Sequence, residues 1–141
     1  MIVLDTSVIY ALLDGADSRH REAVAWYERL DAELVTTPLV LAEADHLAAT
    51  RGGARAVRGF REDVRAGAYL VEWWPSAARE SAELADRYAD SGIGLTDASL
   101  VALAGRVGSL DVATFDEQHF RVVRPVQGGA AFRLLPLDAS A

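Results

Sequence analysis

The feature that most constrains this chain is an alternation. Short apolar runs, "MIVL", "ELVTT", "GAYLVEWWP", "SLDVATF" and "AFRLLP", are separated by stretches whose apolar residues recur at helical spacing. Strands interleaved with helices need crossover connections, and a crossover lays successive strands parallel. An α/β domain with a mostly parallel sheet is therefore expected. The spacing predicts a first helix over Ser7 to Leu13, a second in "RHREAVAWYERLDA", and a third that Pro38 opens and that runs to about Thr50. The Gly52-Gly53 pair should break that helix before an Arg-rich one. "SAARESAELADRYADSG" reads as a helix capped by Ser76 and stopped by Gly92, and "TDASLVALAGRVG" as one capped by Thr96 and ended by Gly108. "DEQHF" is a short turn or helix.

At 141 residues the chain fits one domain, expected over 1–136, with 137–141 as a loose tail. No internal repeat or linker divides it. The absence of cysteine excludes disulfides and thiolate metal sites. No apolar run reaches the roughly 20 residues of a membrane span, and no basic segment precedes the first strand, so a cytoplasmic protein without a membrane partner is expected.

Net charge is −7, and all 14 cationic residues are arginine. That sign opposes nucleic-acid binding unless cations offset it locally. Arg51, Arg55, Arg58, Arg61 and Arg65 recur at three- and four-residue steps, which would form a cationic stripe on one helix face. The stripe is either a solvated face or a guide for phosphates.

Four acids stand apart from ordinary surface acids. Ligands of open parallel sheets gather outside the carboxyl ends of the strands, and Asp5 and Asp116 each follow a strand, so both should lie at that edge. Either could instead be a helix cap. At about 100° per residue, Leu39, Glu43, Leu47 and Thr50 share one helix face, while Asp45 points away as a solvated acid. A carboxylate within an apolar stripe needs a cation, a hydrogen-bond network, a water-filled cleft or an arginine partner. Asp97 lies in the first turn of its helix above Leu100, Val101 and Ala104, where the helix dipole also favours an acid. Were the four to meet, their repulsion would call for a hard divalent ion. Mg²⁺ or Mn²⁺ prefers oxygen ligands and suits phosphoryl chemistry. Thr6, Ser7 and Thr114 flank these acids and could orient them.

Other chemistries find less support. "RGGARAVRG" lacks the Lys and the preceding strand of a phosphate loop. His20, His46 and His119 lack metal-ligand spacing; His46 lies near the Glu43 face, and His119 is expected to fix its turn over Phe120. Trp26, Trp73 and Trp74 read as core or interface anchors. A haloacid-dehalogenase-like phosphatase would use Asp5 as nucleophile, but it carries a second Asp two residues on, where this chain has Ser7. A receiver-like or degenerate metal-binding module is a further alternative, and receivers need a late Lys that is absent here.

"MIVLDTS", "TPLVLAEADHLAAT", "GLTDASLVALA" and "VATFDEQHF" together resemble the successive motifs of the PIN domain, specifically the VapC-type toxins of toxin-antitoxin systems, from Met1 to about Pro136. The resemblance implies a three-layer α/β/α fold, an endoribonuclease dependent on Mg²⁺ or Mn²⁺, homodimerisation, and inhibition by a cognate VapB-type antitoxin. It places the acidic site on Asp5, Glu43, Asp97 and Asp116, with Thr6, Ser7 and Thr114 in support.

Overall fold

A computed structural model describes residues 1–139. Five strands form one sheet: β1 (Ile2–Leu4), β2 (Leu34–Thr36), β3 (Leu70–Val71), β4 (Asp111–Ala113) and β5 (Arg133–Leu135). Seven α-helices flank it: α1 (Thr6–Leu13), α2 (His20–Glu28), α3 (Pro38–Leu47), α4 (Ala54–Ala66), α5 (Ala77–Arg87), α6 (Leu95–Val107) and α7 (Glu117–Phe120). The strand order is β3-β2-β1-β4-β5, and every pairing is parallel rather than most of them. Chain order reverses direction between β1 and β4, so the crevice of this sheet opens at their carboxyl ends.

The strands are short and almost wholly apolar because both faces are covered. Val3, Leu4, Val35 and Leu134 are fully buried, with Val8, Ile9, Leu100 and Leu103 packed on them from α1 and α6. Polar groups inside this core are paired. The Thr36 hydroxyl donates to the Leu4 carbonyl at 2.8 Å, and Thr37, the N-cap of α3, shares a 2.9 Å hydrogen bond with Ser99 of α6. That bond joins the amino-terminal ends of two helices at the crevice.

Several expectations need correction. The strand expected across "GAYLVEWWP" is only Leu70–Val71, an exposed edge, because Trp74 turns inward and its indole N–H donates to Glu80 at 2.5 Å. Ser76 stands at the N-cap of α5 without capping it; its hydroxyl donates to Glu80 Oε2 at 2.7 Å. The N-cap of α6 is Gly94, so Thr96 lies inside the first turn. The third helix ends at Leu47 and passes through a π turn, Ala48–Gly52, before Gly53 (φ +83°) breaks the helical run. Within the segment expected to be a loose tail, Asp138 accepts two hydrogen bonds from Arg121, at 2.7 and 2.8 Å, and one from the Leu134 N–H. Ser140 and Ala141 lie outside the described residues.

Candidate active site

At the β1/β4 crevice a cleft of about 460 Å³ is lined by Asp5, Glu43, Asp97 and Asp116, together with Thr6, Ser7, Tyr10, Arg19, Arg51, Phe115 and His119. Each acid arrives on a different element: the β1–α1 junction, α3, α6 and the β4–α7 junction.

Asp5 is the N-cap of α1 by position, yet its carboxylate caps nothing. Instead, Oδ2 accepts from the Ser7 hydroxyl at 2.8 Å and the Thr114 hydroxyl at 2.7 Å. Thr114 in turn accepts from the Asp116 N–H at 2.9 Å, and Ser7 from the Phe115 N–H at 3.0 Å. The two strand ends are thus stitched together through hydroxyls. Burial pushes the Asp5 carboxyl above the usual range, against the lowering effect of the Thr114 and Ser7 hydroxyls.

Asp116 both caps and lines the cleft. Its Oδ1 accepts from the His119 N–H at 3.0 Å at the start of α7, and its other oxygen lies 3.0 Å from the His119 ring. Asp97 approaches the same imidazole: Nδ1 is 2.8 Å from Asp97 Oδ2. Burial, followed by the nearby charge of Asp5, raises the Asp97 carboxyl to about 6. Asp97, Asp116 and His119 each present a ligand atom within 4.8 Å of the others, an arrangement able to hold a metal ion.

Glu43 reaches the cleft by a different route from the one its helical stripe suggests. The buried face of α3 is Val40 and Ala44, continued by Ala48, while Glu43 itself is exposed at the cleft wall beside Leu47. It has no arginine partner among the described residues. Asp45 is not simply solvated: it makes a bidentate ion pair with Arg61 at 2.9 and 3.1 Å, tying α3 to α4.

The donor set fits a hard divalent cation, since it combines carboxylate oxygens with one imidazole and no sulfur. A second observation agrees. Thr6 Oγ1, in the same cleft, is the one buried side-chain polar atom among the described residues without a hydrogen-bond partner. A buried hydroxyl left unpaired is costly, and a bound ion with its waters would satisfy it.

The arginine stripe divides. Arg51 belongs to the π turn and lines the cleft; Arg55, Arg58, Arg61 and Arg65 sit on α4 outside it, with Arg61 spent on Asp45. His46 is exposed and not among the cleft residues. Sequence reasoning did not assign a site role to His119, Arg19 or Phe115. For His119 a signal existed: an imidazole three residues after a strand-end acid shares its helix face.

An acidic crevice at the switch point of an all-parallel five-stranded sheet, built at four separate chain positions, defines the class. The PIN-domain family model matches residues 2–125, and the chain belongs to that family. It is 32% identical to Ribonuclease VapC26 of Mycobacterium tuberculosis over 136 residues, covering 96% of this chain and all of that protein. The solved structure of M. tuberculosis VapC20, described as a sarcin-ricin loop cleaving toxin, matches in fold with a TM-score of 0.80 at 24% identity, covering 91% of this chain and 98% of the other. FitAcB from Neisseria gonorrhoeae matches with a TM-score of 0.57 at 25% identity, over 84% of this chain and 89% of that one. No helix among the described residues is long and apolar enough to cross a membrane.

Proposed function

We propose that this chain is a toxin of the VapC type, an endoribonuclease that hydrolyses RNA phosphodiester bonds with Mg²⁺ or Mn²⁺. The convergence of Asp5, Glu43, Asp97 and Asp116 on one crevice carries the reading. Similarity to a named ribonuclease, 32% identity over 96% of this chain, supports it. Asp5, Asp97 and Asp116 would hold the ion, with Glu43 completing the set from the cleft wall. When bound, the metal supplies Lewis-acid polarisation of the phosphodiester and a water of lowered pKa.

The chain's own residues set the geometry. Ser7 and Thr114 fix the Asp5 carboxylate by donating to one of its oxygens, which leaves Oδ1 free of side-chain donors. His119 holds Asp97 and Asp116 to a common point. Thr6 offers its unpaired hydroxyl to a water or phosphate oxygen in the cleft. Ser7 argues against the phosphatase alternative, since it donates to Asp5 where that family carries an acid.

A cleft this acidic is inhibited most simply by a cation that competes for the carboxylates. A cognate VapB-type antitoxin placing an arginine there would do so, and a homodimer is the assembly we propose for the toxin. The test uses purified, antitoxin-free protein with total RNA and with a hairpin of the sarcin-ricin loop, the RNA named for VapC20. Cleavage is expected with Mg²⁺, and none with EDTA or with Asp5→Asn. Undiminished cleavage in EDTA would overturn the metal-dependent reading.

A further inference from the structure

An acidic chain that acts on RNA must place its few cations where the backbone passes, and the cleft contains two arginines. Arg51 is carried there by the π turn. A side chain at Gly52 would lie 2.6 Å from the Ala56 Cβ, so only glycine lets this turn close against α4. Arg51 is exposed and has no ion-pair partner among the described residues. Arg19 comes from the α1–α2 connection, and its guanidinium lies over the Phe115 ring, 5.0 Å from the centroid.

Phe115 is not a loose aromatic. Its N–H donates to Ser7, and it stands between Thr114 and Asp116, so its backbone is held by the same hydroxyls that order the carboxylates. The one ion pair of Arg19, to Glu22 at 3.0 Å, joins two half-exposed side chains. Such a pair is worth little in water and yields readily to a phosphate.

We infer that Arg19, stacked on Phe115, and Arg51 are the positioning residues that grip the RNA backbone on either flank of the scissile phosphate, while the arginines of α4 take no part. The inference rests on the ribonuclease reading. Arg19 contributes both charge and a planar surface: the guanidinium layered on Phe115 forms a platform for the base of an adjoining nucleotide. Arg51 contributes charge alone. Together they supply the positive potential that the net charge of −7 lacks.

The experiment measures kcat and KM over a series of KCl concentrations, in Mg²⁺, on an RNA that the wild type cleaves. The variants are Arg19→Ala, Arg19→Lys, Arg51→Ala and, as control, Arg58→Ala. Arg19→Ala and Arg51→Ala are each expected to raise KM by about tenfold, and to flatten the dependence of log(kcat/KM) on log[KCl] by about one phosphate contact. Arg19→Lys should keep the salt slope but still raise KM, because charge returns without the stacked plane. Arg58→Ala should match the wild type. Wild-type KM and salt slope in both alanine variants, or a loss confined to Arg58→Ala, would overturn the inference while leaving the ribonuclease standing. If the wild type cleaves no RNA with Mg²⁺, the ribonuclease reading falls and takes this inference with it.

Discussion

Thr114 ties the Asp5 carboxylate to the Asp116 backbone through a single hydroxyl, donating to Asp5 and accepting from the Asp116 N–H. Thr114→Val keeps the shape and removes both bonds, leaving a half-buried N–H and a buried carboxylate short of a partner. A loss of about 1–3 kcal/mol of stability is expected in urea titration, together with Mg²⁺ binding weaker by about 10–100-fold in calorimetry. Asp97 behaves in the opposite sense. Its carboxyl is raised to about 6, so at neutral pH the folded, metal-free protein holds a charge that the unfolded chain would carry more easily. Asp97→Asn is therefore expected to stabilise the protein in EDTA by roughly 2 kcal/mol, and to show none of the upward shift of melting temperature with Mg²⁺ that is expected of the wild type. At this scale the sequence was partly legible. Asp5 and Asp116 were visible because strand-end positions follow from the alternation alone. Glu43 was found through a helical stripe that proved to be the cleft wall rather than the core face, since two adjacent faces of one short helix look alike on a wheel. The His119 contact with Asp97 joins residues from two elements, and nothing in either local pattern encodes it.

The elements deliver these residues by where they begin. Helices α1 and α3 start one residue after a strand and α7 three residues after one, and α6 starts at the same edge before running back to β4, so four amino-terminal ends surround the crevice. Their partial positive charges favour acids there without supplying a full neutralising charge. The π turn is the element least expected from sequence. Its place was legible as a glycine pair, but its effect, separating Arg51 from the α4 arginines, depends on packing against Ala56. Gly52→Ala forces that contact apart and is expected to cost about 1–3 kcal/mol, measured by thermal unfolding. The edge strand β3 was overestimated for a related reason: apolar residues in "GAYLVEWWP" serve two ends, pairing at Leu70–Val71 and burial at Trp74.

Across the whole molecule, the fold class was the most legible property because an all-parallel sheet needs only strand and helix alternation to be recognised. The anchoring of the carboxyl-terminal segment was not legible, as it depends on Arg121 meeting Asp138 17 residues later. The Arg121 guanidinium and the Leu134 N–H hold the Asp138 carboxyl down at about 2. A carboxyl lowered in the folded state stabilises above its unfolded value, near 3.8, and the benefit disappears as pH falls through about 2. With solvent screening, the contribution is on the order of 1 kcal/mol. Asp138→Asn should lower stability by about that much at pH 7, and the two proteins should converge in urea melts near pH 2. The central claim, that the four carboxylates serve metal-assisted hydrolysis, meets its most direct test in the chemistry of the RNA ends. Hydrolysis at the cleft should leave a 5′-phosphate and a 3′-hydroxyl, ligatable without prior treatment. Products ending in a 2′,3′-cyclic phosphate would mean that the RNA's own hydroxyl was the nucleophile, and would contradict the role assigned to the acids.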